Sequence, residues 1–215
     1  MESSKPVDRF INQSLLLNVT VLMGLTMAIG VVTASGIADW SSDQVLRAVL
    51  VWFYCAGTFA YYFHFLTLYR LRTRIAWLTL PFVFGAAAAV AASSIGSGRW
   101  FTEASLVFFL SSGLVFVMAL VEQANGWFEL PVASLEASHA ASALLKTEMR
   151  KNVACFGVLV LAHAMAILTR SWIGASETFI LFLIAATLYP AMMTLTETRF
   201  LPKIKALMID GSADR

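Results

Sequence analysis

Val51–Pro81 reads VWFYCAGTFAYYFHFLTLYRLRTRIAWLTLP: an apolar, aromatic run, a turn carrying Arg70, Arg72 and Arg74, and a second apolar run that includes Trp77 and Pro81. Three guanidinium groups within five residues cannot lie in hydrocarbon, and beside membrane spans such clusters favour the cytoplasmic side. The two flanking runs therefore read as an antiparallel pair of transmembrane helices, and the three arginines as topological anchors.

The composition agrees with this pair. Hydrophobic residues make up 59% of the 215 and charged residues 13%, with a mean hydropathy of +0.76. An ordinary soluble domain is about half apolar and a quarter charged. Apolar windows near the ~20 residues that a helix needs to cross a bilayer recur along the chain, which favours a helical membrane protein over a barrel. The net charge of +2 is small and the basic residues sit at segment ends, so nucleic acid is not an expected partner. Cys55 and Cys155 both fall in apolar segments, too few for a disulfide framework or a Cys-rich metal site.

Outward from the opening pair, the apolar windows predict six spans at about 14–34, 45–68, 74–95, 102–121, 153–169 and 178–195, in one membrane domain covering 1–215. The first run is longer than the h-region of a signal peptide and reads as an uncleaved span. Within it Thr20, Gly24 and Ala28 recur at four-residue spacing, as do Thr26, Gly30 and Ala34, a pattern that lets helices approach closely. The third span is so rich in Ala and Gly between Gly85 and Ala92 that it is expected in the middle of the bundle. Segment 126–152 is the one sizeable extramembrane piece; Pro131 is suited to a first helical turn, and 132–150 reads as an amphipathic interfacial helix.

An even span count puts both termini on one side, and twelve of the fifteen Lys and Arg residues fall there; Arg47, Arg99 and Arg170 are the exceptions. The positive-inside rule then places both termini, and the 126–151 loop, in the cytoplasm. The expected setting is a bacterial inner membrane.

Ionisable groups inside spans are costly and point to function; here they are His64 and His163. Near His64, Tyr54, Thr58 and Tyr61 recur at three- and four-residue spacing on the second span, while Asn152 lies along the face of His163 on the fifth. These six residues are the candidates for a pathway or binding site. The competing reading makes the tyrosines interfacial and the histidines packing residues bonded to neighbouring helices. A shared metal or haem is not expected. His64 lies six residues before Arg70 and His163 seven before Arg170, each about 10 Å inside its own interface. In a core about 30 Å thick the rings would stand roughly 10 Å apart, whereas a metal needs both nitrogens within about 2 Å. His139 belongs to the loop. Ser111-Ser112-Gly113 sits mid-span without a positioned base, and no Gly-x-Ser-x-Gly, His-Glu-x-x-His or phosphate-loop motif occurs.

His64 after its aromatic run, followed by Arg74, Trp77, Thr79 and Pro81, resembles the second and third helices of microbial rhodopsins over about thirty residues. That resemblance implies a lysine in a seventh span to hold retinal. All five lysines here, Lys5, Lys146, Lys151, Lys203 and Lys205, fall outside the spans, and Ala76 stands where a carboxylate counter-ion is needed. No family is assigned on it and no cofactor is expected. The leading expectation is a channel or carrier for an ion or small solute. The alternatives are a non-catalytic membrane subunit, with either a second copy or a soluble cytoplasmic partner docked on 126–151, and then a lipid-modifying enzyme, for which neither nucleophile nor base can be nominated.

Overall fold

The computed structural model describes the backbone of residues 6–68, 70–71, 75–98, 100–124, 128–129, 135–173 and 176–209, and side chains within 17–58, 60, 81–98, 100–121, 123–124, 138–169 and 178–207. Those residues are helical apart from short turns and one two-residue pairing. The helices are α1 (Pro6–Ser35), α2 (Ser42–Leu68), α3 (Ile75–Ser93), α4 (Phe101–Ala124), α5 (Leu135–Ile173) and α6 (Ser176–Leu195), which runs through a π-helical turn (Thr196–Phe200) into α7 (Leu201–Ile209). β1 (Arg70–Leu71) pairs antiparallel with β2 (Phe128–Glu129), Arg70 opposite Glu129, and ties the α2–α3 turn to the α4–α5 connection.

Among the described residues, four stretches are long and apolar enough to cross a membrane: Leu17–Ser35, Phe101–Val121, Ser138–Thr169 and Thr178–Leu207. Their outward surfaces carry large apolar side chains, such as Val32 at 72% and Leu168 at 76% exposure. A soluble monomer rarely shows so continuous an apolar exterior, and the helices are compatible with an integral membrane protein.

Two boundaries differ from the sequence expectation. The interfacial helix at 132–150 and the span beginning at Val153 are a single unbroken helix, α5, of 39 residues, about 58 Å long. Lys146, Arg150 and Lys151 suggested a boundary, yet all are good helix formers, and Lys151 is neutralised by Glu148 one turn back. The chain after Leu195, expected as a basic tail, also continues as helix to Ile209. The π turn ends two residues before Pro202, whose ring in a regular helix would collide with the carbonyl four residues back. Widening the turn relieves that clash, and the Leu201 N–H donates to the Thr196 carbonyl five residues earlier.

The start of α2 shows why the chain turns where it does. The Ser41 N–H donates to Gln44 Oε1 at 2.8 Å while the Gln44 N–H donates to Ser41 Oγ at 3.3 Å, a reciprocal capping box. From the same first turns, Gln44 Nε2 donates to the Gly96 carbonyl at 2.9 Å and Arg47 Nη1 to the Ile95 carbonyl at 3.2 Å. Arg47 is ion-paired with Asp43 and lies over the Phe101 ring, 6.0 Å from its centroid. Gly98 makes this possible: its φ is +67°, and a Cβ would fall 2.6 Å from Arg47 Nη2. Arg47, an exception to the charge bias, is thus occupied in closing the end of α3.

Both α3 and α4 are inner helices: α3 packs between α1 and α4 and against α2, burying Phe84, Ala88, Ala91 and Ala92, and α4 packs between α3 and α5, burying Phe101, Phe108, Phe109, Val115, Phe116 and Ala119. Each also turns apolar side chains outward, Phe82, Val83 and Val90 on α3 and Val107, Leu110 and Leu114 on α4. Small side chains let α3 lie close to α1, where Gly85 faces Leu22 and Gly30 faces Ala92. The two small-residue rows of α1 separate accordingly. Thr26 and Gly30 face inward, while Thr20, Gly24 and Ala28 face outward. Gly85→Leu or Ala88→Leu is therefore expected to destabilise the purified protein by about 1–3 kcal/mol through overpacking. Gly24→Leu, where a Cβ meets nothing within 4 Å, should leave the melting temperature nearly unchanged. Equal tolerance at Gly85 and Gly24 would contradict the α1–α3 packing.

Candidate functional site

Tyr54 and Thr58 of α2 are buried where α2 meets α4 and α6. The Tyr54 ring stacks on Phe108 at 4.8 Å between centroids and meets Phe109 edge-on at 5.1 Å. Its hydroxyl donates to Ser105 Oγ at 2.9 Å, so the phenol is a core group and not an interfacial one. One turn along α2, Gly57 admits the Tyr189 ring of α6 against the backbone. The side chains of Tyr61 and His64 lie outside the described residues, as do those of Arg70, Arg72 and Arg74.

His163 is fully buried on α5. Its Nδ1 is 2.7 Å from the Leu159 carbonyl; a carbonyl only accepts, so Nδ1 carries a proton and donates it. The imidazole lies 4.9 Å from the Phe109 ring, which also touches Tyr54 and, at 6.2 Å, Tyr189. Phe109 is thus the hub that brings α2, α4, α5 and α6 together, and through it Tyr54 and His163, two of the six sequence candidates, share one cluster.

A second polar cluster, missed in the sequence, lies about 18 Å further along α5. Lys151 Nζ donates to Glu148 Oε1 at 2.7 Å, to Thr196 Oγ1 at 2.8 Å and to the Met192 carbonyl at 3.2 Å. An ammonium has three protons, and here each has an oxygen. Thr196 Oγ1 is also 2.6 Å from Glu148 Oε1 and 3.0 Å from the Met192 carbonyl. Glu148 and Thr196 are only 7% and 5% exposed. Asn152, a sequence candidate, is fully buried beside Lys151 in the chain. In the sequence both charges fall in or beside the segment read as an interfacial helix; the three-residue spacing of Glu148 and Lys151 on an Ala- and Leu-rich helix is the available signal of the pair.

Between the clusters, Ser105, Phe109, Ser112 and Phe116 recur on α4 at four-three-four spacing, hence on one face. Ser112 is buried, and its Oγ has no hydrogen-bond partner among the described residues. Phe116 stacks on Phe156 of α5 at 5.3 Å. The polar groups therefore form a broken series, Tyr54–Ser105, His163, Ser112, Asn152 and Glu148–Lys151–Thr196, with phenyl rings filling the intervals. A groove of about 630 Å³ lies elsewhere, on the outer face of α3 and α4 between Phe82, Val90, Trp100 and Val107. Its walls are apolar except at Glu103, so it offers no continuous polar lining.

Comparison with known proteins finds no relative: no family model, no curated protein and no solved structure matches the chain. The functional reading rests on the buried polar groups.

Proposed function

We propose that the chain is an integral membrane protein of six spans, with both termini cytoplasmic, that carries an ion or small solute across a bacterial inner membrane. The supporting observation is the buried series from Tyr54 and Ser105 through His163 to Glu148, Lys151 and Thr196. Ionisable groups at membrane depth are costly to keep, and where they face the interior of a bundle they mark ion and proton routes. Phe108, Phe109, Phe116 and Phe156, all buried, close the intervals as a hydrophobic gate does. The π turn fits the same reading, since such turns concentrate at functional sites.

The test is flux through purified protein in liposomes. His163→Gln, which disturbs the bond to Leu159, and Glu148→Gln are each expected to reduce flux about tenfold or more, the kinetic equivalent of ~1.4 kcal/mol. Flux unaffected by both, or none for the unaltered protein with any small ion, would discard the carrier. The orientation is checked separately: a reporter inserted near His139 or fused after Arg215 should read as cytoplasmic, and one near Asp39 as external. An external reading at His139 would overturn the six-span arrangement.

One observation favours a second reading as a membrane subunit. The first turns of α5 form a stiff stub with Ser138, His139, Ala140, Ser142 and Ala143 exposed, held at its side by Gln123 bonded to Ser142. A soluble protein co-purifying with the unaltered chain and lost on Ala140→Arg would support that role.

A further inference from the structure

We propose that the Glu148 carboxylate, the Thr196 hydroxyl and the Met192 carbonyl form a monovalent-cation seat, that Lys151 fills it with its own ammonium when the protein is at rest, and that the cargo is a monovalent cation that displaces this ammonium. The inference rests on the carrier reading and names its solute class. The geometry is that of a small cation in an oxygen cage: three oxygens of three different kinds surround Nζ at 2.7, 2.8 and 3.2 Å. Backbone carbonyls inside a membrane bundle can coordinate alkali cations; Met192 lies on α6 one turn before Thr196, the first residue of the π turn.

Two further features argue for exchange in preference to a permanent clamp. Glu148 and Thr196 are fixed and buried, but the Lys151 side chain is 21% exposed against 8% for Glu148. Its flexible four-carbon stem can carry the ammonium outward to the polar boundary while the oxygens stay in place. Charge selects the newcomer. One carboxylate with one ammonium is neutral, so a monovalent cation replaces Lys151 without change of net charge. A divalent cation would leave an uncompensated positive charge in a buried site, which is costly. In the exchange no covalent bond changes; a hydrated cation sheds water as the ammonium regains it.

The experiment is thermal melting of purified Lys151→Ala at constant ionic strength, with choline, too large for the cage, replaced stepwise by sodium, potassium or methylammonium. The unaltered protein should respond far less to the small cations than Lys151→Ala does, since a cation must first displace Lys151 from the seat. Lys151→Ala should melt lower in choline and recover saturably with at least one of the small cations, by about 5–10 °C at a hundredfold excess over its dissociation constant. Glu148→Gln combined with Lys151→Ala should not recover. Indifference of Lys151→Ala to all three cations, or equal recovery without the Glu148 carboxylate, overturns the seat. If Lys151→Ala folds only when extracted in a small cation, that is the expected result in stronger form. If it folds in none, Lys151→Gln is titrated in its place, and its indifference overturns the proposal equally. The two failures stay separate: cation flux by the unaltered protein with an indifferent Lys151 variant removes the seat and keeps the carrier. Saturable recovery without flux removes the carrier and keeps the seat.

Discussion

Lys151→Met should lower the melting temperature in choline buffer by about 10 °C, more than Glu148→Leu does, and the two substitutions together should recover most of the loss. Breaking a buried ion pair from one side commonly costs about 3–5 kcal/mol, because a charge is left behind without compensation. For a chain of this size each kcal/mol is worth about 2–4 °C. The asymmetry follows from burial. After Lys151→Met the Glu148 carboxylate stays enclosed beside Thr196, at 8% side-chain exposure, whereas after Glu148→Leu the longer Lys151 side chain, 21% exposed, can turn outward. The double variant removes both charges and fills the space with apolar atoms, which is often neutral for a buried pair. Additive losses in the double variant would show that the two groups do not act on each other.

Gly57→Leu should be the most disruptive single substitution on α2. A Cβ there would overlap the Tyr189 ring, and that ring cannot retreat, since it is buried against Phe109 and Phe156 at centroid distances of 6.2 Å each. Overpacking of a tight core costs about 1–3 kcal/mol and occasionally more; with ring against backbone the upper end applies. Tyr189→Ala, which opens the space, should restore part of the stability lost to Gly57→Leu while being destabilising by itself. The measurement is again melting of the purified variants, with Gly157→Leu as the control, because a Cβ at Gly157 meets nothing within 4 Å. No recovery in the Gly57–Tyr189 double variant would mean that α2 and α6 are not in register at this level.

Much of the helical framework was legible because hydropathy and spacing act locally. The aromatic run after Val51 became α2, and the small residues of the third segment became the α1–α3 contact. Which helices a side chain would join was not legible. An Ala-rich helix and a Phe-rich one both read as apolar, and only the fold shows the small residues of α3 admitting α1 while Phe109 of α4 fills the space toward α2, α5 and α6. Of the six candidate residues, Tyr54, Thr58, Asn152 and His163 lie in the core, found because polar groups on inward helix faces stand out from their neighbours. Glu148, Lys151 and Thr196 did not stand out. Charges near a predicted boundary are ordinarily solvated, and only the pairing of α5 with the helix beyond Leu195 buries these three together. That extra length was hidden by Pro202, which by itself argues for a helix end.

The inserted residue at the π turn also sets the phase of everything after it. On α6 the inward positions are Leu181, Ala185, Tyr189, Met192 and Thr196, spaced as a regular helix requires. Continued at 3.6 residues per turn, the same face would next present Arg199 or Phe200 and then Lys203. Phe200 is buried as that spacing allows, but Leu201 and Ile204 are buried where Lys203 would be expected, and Arg199 and Lys203 point away. One residue of slip is worth about 100° of rotation, enough to trade a cationic face for an aliphatic one. The turn therefore acts as a vernier between two halves of one rod: straightening it into regular helix with every residue kept would bring Lys203 round toward α5 and send Ile204 outward, whereas removing a single residue from 197–199 would let a regular helix keep Ile204 inward.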